Sequence, residues 1–132
     1  MPTVFTRIIT GEWPGRFVHR DDRCVAFLSI APLQPGHTLV VPIEEIDHWI
    51  DAPPELNAHL MAVAQRIGIA QQQAFNPTKV ALIVAGLEVP HLHLHVVPMR
   101  TEADLHFGNA DTNPSPESLD DAAERIRAAL AG

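Results

Sequence analysis

Residues 91–97, with the sequence HLHLHVV, alternate strictly between histidine and leucine over their first five positions. Because successive side chains of a β-strand point to opposite faces of a sheet, this pattern predicts a strand with one aliphatic and one imidazole face. Leu92, Leu94 and Val96 are expected to face the core. The three histidines then share the other face, and neighbouring histidines are separated by two residues, each with a rise of roughly 3.3 Å. At that spacing several imidazoles can address one phosphate-sized group.

The composition predicts a single folded domain over residues 1–132, since 46% of the residues are hydrophobic and the length suffices for a core. The net charge is −7 and the nine basic residues are scattered, which argues against a nucleic-acid partner. No stretch approaches the roughly 18 apolar residues of a membrane span, so no membrane contact is expected. Cys24 is the only cysteine, which excludes an intramolecular disulfide and a cysteine-based zinc site and fits a reducing cytoplasm.

Periodicity predicts the other main elements. Short β-branched or aromatic runs indicate strands over residues 24–30, 37–41 and 79–85. From Pro53 the apolar period changes to that of a helix, with Asp51 as its expected N-cap and Asn76-Pro77 as its end. The helix presents one apolar stripe, formed by Leu56, Leu60, Val63, Ile67, Ala70 and Ala74.

The end of the chain is expected to combine a surface segment with a helix. Residues 99–114 are polar and contain glycine, asparagine and proline, which is typical of an exposed segment. Ser115-Pro116-Glu117 then predicts the start of a final helix. One face of that helix carries Leu119, Ala122, Ala123, Ile126 and Leu130.

Three interpretations of the histidine strand remain open from the residues alone. The histidines are incidental on a solvated face, they bind a metal, or they catalyse phosphoryl or nucleotidyl transfer. A metal site needs a further ligand, and the nearest carboxylate, Glu88, lies across Pro90 in the preceding turn. In the third interpretation one neutral histidine attacks phosphorus while its neighbours stabilise the oxyanion and the leaving group.

The run His91 to Val97 followed by Pro98 resembles the motif of the histidine triad (HIT) superfamily of nucleotide hydrolases and transferases, in particular its Hint-like branch. The preceding segment GLEVP, residues 86–90, is similar to the lead-in of that motif. The likeness continues through residues 8–12, 21–27 and 35–42. The likeness covers about residues 3–100. Residues 101–132 form a C-terminal extension and a helix beyond the region of likeness.

The resemblance implies an α+β fold, with an antiparallel sheet of about five strands, a long central helix and a C-terminal helix, and a homodimer. It also implies that His93 attacks the α-phosphate of a nucleotide conjugate and forms a nucleotidyl-histidine that water cleaves. His91 and His95 are expected to contact the phosphate and the leaving group, and His37 to complete the site. The positions expected to bind the nucleotide are Phe27, Leu28, Ser29, His37 and Leu87.

Departures from the family pattern concern the nucleoside and the metal. A glutamine of the lead-in is replaced by Leu87, and an aspartate that commonly binds the ribose is replaced by Ser29, which makes weaker, neutral hydrogen bonds. Many bacterial members carry zinc ligands where this chain has Thr3, Thr6 and Glu45. No metal and no other cofactor is therefore expected.

The expected function is hydrolysis of a nucleotide or nucleotidyl conjugate, of the nucleoside phosphoramidate or dinucleoside polyphosphate type. The alternative is a nucleotide-binding regulatory module with little turnover, which the changes at Leu87 and Ser29 would favour.

Overall fold

The computed structural model describes residues 2–132 and contains a five-stranded antiparallel sheet with the strand order β1-β2-β3-β5-β4. The strands are β1 (Phe17–Arg20), β2 (Cys24–Leu28), β3 (Thr38–Pro42), β4 (Lys79–Ile83) and β5 (Leu94–Met99). The α-helices are α1 (Val4–Ile9), α2 (Pro54–Phe75) and α3 (Pro116–Ala131), and short 3-10 helices span Trp49–Asp51, Glu102–Leu105 and Phe107–Asn109. The α+β fold with a long and a C-terminal helix is thereby confirmed.

The sheet is covered on both faces, which is why every residue of β2 and β3 is buried. Side chains alternate between the two faces along each strand. Cys24 and Ala26 of β2 join the cluster formed with α2, which we call the helix face of the sheet. Val25 and Phe27 point the other way and pack with Phe5 of α1, on what we call the site face.

Helix α2 packs on the helix face through the predicted stripe. Its first five members are buried and the last, Ala74, is half-buried. The helix ends as predicted, with Asn76 in the left-handed conformation at φ 49°. The expected N-cap is wrong: Asp51 closes a 3-10 turn, and Ala52 and Pro53 are extended at ψ 146° and 139°. Each precedes a proline, which disfavours the helical conformation, so the helix begins only at Pro54.

Helix α3 begins as predicted, with the Ser115 side chain accepting a hydrogen bond from the backbone of Ser118. Four of the five residues on its predicted apolar face are buried against the sheet and α2, and Leu130 is partly buried. Within residues 2–132, no helix has both the length and the apolarity needed to cross a membrane.

The edges of the sheet differ most from the sequence prediction. The apolar periodicity does not predict strand β1, because this strand has only four residues and all of them are partly or fully exposed. Strand β5 starts at Leu94 rather than His91 and runs through Pro98 to Met99. The backbone carbonyl of Met99 accepts a hydrogen bond from Thr78 on the β4 side of the strand. The backbone groups of the preceding residue, Pro98, are directed to the opposite side, towards β3. Pairing with β3 has already ended at Val96, so the missing N–H of Pro98 costs no hydrogen bond.

Candidate active site

A cavity of about 510 Å³ opens on the site face, between α1, the loop of residues 84–90 and the 3-10 helix that begins at Phe107. Its walls are mostly aliphatic and aromatic. Two of the motif histidines, His93 and His95, border it. The other lining residues are Val4, Phe5, Ile8, Phe27, Leu28, Ser29, Ile30, Ala31, Leu39, Ala85, Gly86, Leu87, Glu88, Val89 and Phe107.

His93 has a fixed tautomer. Its Nδ1 lies 2.8 Å from the backbone carbonyl oxygen of His91, and because a carbonyl only accepts, Nδ1 carries the proton and donates it. A neutral ring therefore leaves Nε2 with a free electron pair. Within residues 2–132 no protein group hydrogen-bonds to that Nε2. In its neutral form His93 thus presents the electron pair of Nε2 at the cavity wall.

His95 and His37 form a second oriented pair. Nδ1 of His37 accepts a hydrogen bond from the backbone N–H of Leu33 at 3.0 Å, so the proton of His37 is on Nε2. This Nε2–H donates to Nδ1 of His95 at 2.9 Å, which places the proton of His95 on its Nε2. Burial, followed by the neighbouring histidines, lowers the pKa of His37 to about 3 and that of His95 to about 4. Both rings are therefore neutral near pH 7.

The structure does not bring the ring of His91 to the cavity. His91 is fully buried, its Nε2–H donates to the carbonyl of Pro42 at 2.7 Å, and its Nδ1 accepts from the Thr3 hydroxyl at 2.7 Å. Burial lowers the pKa of this ring, which keeps it neutral. The expectation of three imidazoles on one strand face differs here because residues 91–93 precede β5 and are not part of the pleated strand.

Three residues stand where the family resemblance places zinc ligands, and they lie together beside His91: Thr3, Thr6 and Glu45. The Thr6 hydroxyl and the backbone N–H of Thr3 both donate to Oε1 of Glu45, and Thr3 caps α1 by accepting from the Thr6 N–H. Threonine hydroxyls are poor substitutes for the thiolates and imidazoles that bind structural zinc. This group does not fit a zinc ion, and its hydrogen bonds anchor α1 against His91 instead.

The expected nucleotide-binding positions fall in different places. Phe27 and Ser29 face the cavity, and the Ser29 hydroxyl accepts a hydrogen bond from the backbone of Ala31. Leu28 also borders the cavity, although it packs with Ala70 and α3 on the helix face. Leu87 is 98% exposed at the rim of the cavity.

Two aromatic residues at the site escaped the sequence analysis. The ring of Phe5 lies edge-on to His93 at 4.9 Å between centroids, and Phe107 lies edge-on to His95 at 5.2 Å. Phe107 belongs to the polar segment 99–114, which folds back as Asp111 donates its backbone N–H to Pro32. The one available signal was that Phe107 is the only aromatic residue of that segment.

The sheet, its covering helices and the oriented histidines define a protein of the histidine-triad class. The family model of the HIT domain matches residues 10–102, and the chain belongs to this family.

Relatives agree with this assignment. An uncharacterized HIT-like protein of Mycobacterium tuberculosis is 39% identical over 105 residues, covering 76% of this chain and 73% of the relative. An Arabidopsis thaliana protein named adenylylsulfatase HINT3 is 29% identical over 128 residues, covering 93% of this chain and 64% of the relative. The crystal structure of a zinc-bound histidine triad family protein from Mycobacterium smegmatis superposes with a TM-score of 0.83 at 32% identity, covering 97% and 92% of the two chains.

Proposed function

We propose that the protein hydrolyses nucleotide conjugates at the α-phosphate through a covalent nucleotidyl-histidine on His93. The observation that carries this proposal is the hydrogen bond from Nδ1 of His93 to the carbonyl of His91, which in the neutral ring directs the electron pair of Nε2 to the cavity. A neutral imidazole with a free electron pair is the form that attacks phosphorus. Family membership and the hydrolase name of the Arabidopsis relative support the same class of reaction.

In the first step Nε2 of His93 forms a bond to the α-phosphorus while the bond from phosphorus to the leaving group breaks. The electron pair of that bond goes to the leaving group. The Nε2–H of His95, oriented by His37, donates a hydrogen bond to the departing atom or to a phosphoryl oxygen. Such a preorganised donor is worth on the order of 10²- to 10³-fold in rate.

In the second step water attacks the same phosphorus and the bond to Nε2 of His93 breaks, returning the electron pair to the ring. The proton that water loses goes to solvent or to the departed anion. The products are a nucleoside monophosphate and the leaving group. Two displacements replace one harder one, and the histidine is regenerated.

His91 acts in this scheme as a positioning residue. Its carbonyl fixes the tautomer of His93, and its buried ring is held between Pro42 and Thr3. The expected contact of His91 with the phosphate is therefore not part of this mechanism. His91 instead holds the nucleophile, His93, in position.

A neutral His95 favours leaving groups that depart as stable anions. Sulfate or a polyphosphate departs as a stable anion and needs only a hydrogen bond from Nε2–H. An amine departing from a phosphoramidate needs a full proton, which a neutral His95 supplies poorly. We therefore propose that conjugates with acidic leaving groups, such as dinucleoside polyphosphates, are better substrates than phosphoramidates.

A nucleotide-binding module with little turnover is the second candidate. It is favoured by the lining itself, because no lysine or arginine is among the cavity residues and Leu87 offers no polar group to the phosphate. Weak phosphate contacts would lower productive binding without removing the pocket.

One panel separates the two candidates. Adenylylsulfate, a diadenosine polyphosphate, an adenosine phosphoramidate and AMP are tested for binding by calorimetry and for turnover by chromatography, in wild-type and His93→Ala protein. Turnover that disappears in His93→Ala while binding persists supports hydrolysis. Binding of the conjugates with no turnover by the wild-type protein contradicts hydrolysis and supports the module.

A further inference from the structure

A second cluster of chemically active side chains lies on the helix face of the sheet, away from the candidate active site. His19 lies in β1, Asp21 in the turn after it, Cys24 in β2 and His59 in α2. One ligand atom each of His19, Asp21 and Cys24 lies within 4.8 Å of the others. His59 reaches the same carboxylate from the helix, with its Nε2 2.9 Å from Oδ2 of Asp21.

Three donors converge on one carboxylate oxygen. Oδ2 of Asp21 lies 2.7 Å from Nε2 of His19, 2.9 Å from Nε2 of His59 and 3.6 Å from Sγ of Cys24. The other oxygen, Oδ1, accepts the backbone N–H groups of Arg23 and Cys24, both at 2.8 Å. Those two hydrogen bonds fix the carboxylate with Oδ2 directed at the imidazoles and the thiol, as outer-shell bonds orient metal ligands.

We propose that His19, Asp21 and Cys24 bind one divalent transition-metal ion, with zinc as the best match, and that His59, which lies outside this group of three and contacts only Asp21, turns in as the fourth ligand. Two imidazoles, one carboxylate and one thiolate make a four-ligand set of the kinds that zinc prefers. In a tetrahedral zinc site ligand atoms stand roughly 3.3–3.6 Å apart. The two nitrogen–oxygen pairs need to open by about half an ångström, and the sulfur–oxygen pair already has that spacing. His59 has to move closer to His19 and Cys24, since its ring lies outside their group.

Binding replaces the hydrogen bonds of the cluster by metal–ligand bonds. The thiol proton of Cys24 is released to solvent as the ion enters, and each neutral imidazole carries its proton on Nδ1 so that the electron pair of Nε2 can bind the metal. Cys24 is completely buried, whereas the side chain of His59 is 30% exposed. The ion therefore enters past His59, and the bound metal ties β1 and β2 to α2.

This site is separate from the family's zinc-ligand positions and from the cavity. Thr3, Thr6 and Glu45 lie beside His91, and Cys24 points to the helix face, opposite Val25 and Phe27 of the site face. The proposal departs from the sequence expectation that the protein binds no metal. That expectation rested on the strand histidines, the family positions and the single cysteine, which excludes a site built on several cysteines but not one in which Cys24 joins histidine and aspartate. The sequence could not place His59 beside Asp21, which is 38 residues away.

Cobalt(II) titration of the whole protein, with zinc competition, tests the proposal. Because Cys24 is the only cysteine, a thiolate-to-cobalt absorption band in the near-ultraviolet reports metal at this cluster and at no other place in the chain. We expect one equivalent of cobalt to produce that band and zinc to displace it. Asp21→Asn and His59→Ala should weaken zinc binding by at least about 100-fold, since even outer-shell changes cost 10- to 100-fold. His48→Ala, an exposed histidine outside the cluster, should bind as the wild type does.

Cys24→Ala should lose the band, and circular dichroism establishes whether this buried variant is folded. His59→Ala changes a partly exposed side chain and gives the same information without altering the core. The proposal is overturned by three results: no cobalt binding, binding without a thiolate band, or binding that His93→Ala removes while Asp21→Asn and His59→Ala leave it unchanged. The last result would place the ion at the cavity histidines.

Discussion

Nε2 of His37 lies 2.9 Å from Nδ1 of His95, and the proton between them belongs to His37 because its Nδ1 is already occupied by the N–H of Leu33. The pair is thus oriented by a backbone group, and the direction of each hydrogen bond follows from the one before it. The second proton-bearing nitrogen, Nε2 of His95, is left for the cavity. Protonation of either ring would reverse a donor in this chain of hydrogen bonds.

Stability should therefore fall as the pH drops from about 7 to about 5. Unfolded histidine has a pKa of about 6.5, whereas burial lowers the pKa of His37 to about 3 and of His95 to about 4. The unfolded chain binds more protons in this window, so its population is favoured there, and the loss should be on the order of 2–4 kcal/mol. Urea denaturation at the two pH values measures it.

The matched variants for this measurement are His37→Gln with His95→Gln, and His48→Gln. The double variant should show a flatter pH dependence, and the exposed His48 variant should keep that of the wild type. Equal slopes in all three proteins would show that neither buried ring is held neutral.

Thr3 is predicted to support the nucleophile from a distance. Thr3→Val removes the cap of α1 and the hydroxyl that donates to Nδ1 of His91, so the free energy of unfolding should decrease by about 1–2 kcal/mol. The turnover number should fall with it, because the carbonyl of His91 holds His93. Thr3→Ser should restore both, and Thr10→Val, a threonine at the other end of α1, is the control. Unchanged turnover in a destabilised Thr3→Val protein would limit Thr3 to a role in folding.

Ser29→Asp is predicted to strengthen binding of nucleotides that carry both ribose hydroxyls. The carboxylate can keep the turn made with the N–H of Ala31 and add charge-assisted hydrogen bonds to the ribose. The Kd for AMP should decrease by about 10-fold, and that for the 2′,3′-dideoxy analogue should not. Ser29→Asn, of similar size without the charge, should give a smaller gain. An equal decrease in the Kd for the dideoxy analogue would show that the new carboxylate does not bind the ribose hydroxyls.

We predict a homodimer formed through the β4 edge and α2. Strand β4 is the last strand of the sheet, and apolar side chains stay exposed beside it: Leu82 is 42% exposed, Met61 53% and Ile69 50%. An unpaired strand edge next to an apolar surface favours association. Light scattering at micromolar concentration should give twice the chain mass. Leu82→Glu should give the monomer and Ile43→Glu, outside this surface, the dimer, whereas a monomeric wild-type protein would contradict the prediction.

Most of the fold could be predicted from the sequence because the spacing of apolar residues reflects which side chains are buried. Leu92, Leu94, Val96 and the stripe of α2 are buried as predicted, except that Ala74 at the end of the stripe is only half-buried. Strand β1 was missed because its four residues are only partly buried and carry no alternating pattern. The start of α2 was misplaced because two prolines make the preceding residues extended.

The site was only partly accessible from the sequence, because its details depend on distant backbone groups. The motif points to His93, but the tautomer of His95 depends on Leu33, and the environment of His91 on Pro42 and Thr3, 49 and 88 residues away. Phe107 reaches His95 only because its segment folds back over the cavity. No local pattern encodes such contacts.

The nucleophilic role of His93 is tested most directly by trapping the intermediate. The protein is mixed with an adenylyl conjugate labelled at the α-phosphate, quenched within milliseconds and digested, and the peptide spanning residues 91–97 is mapped by mass spectrometry. We predict label on His93 alone. We also expect turnover to be nearly abolished in His93→Ala but reduced only about 10²- to 10³-fold in His95→Ala, which removes a single donor. Label on His91 or His95, or full activity of His93→Ala, would contradict the mechanism.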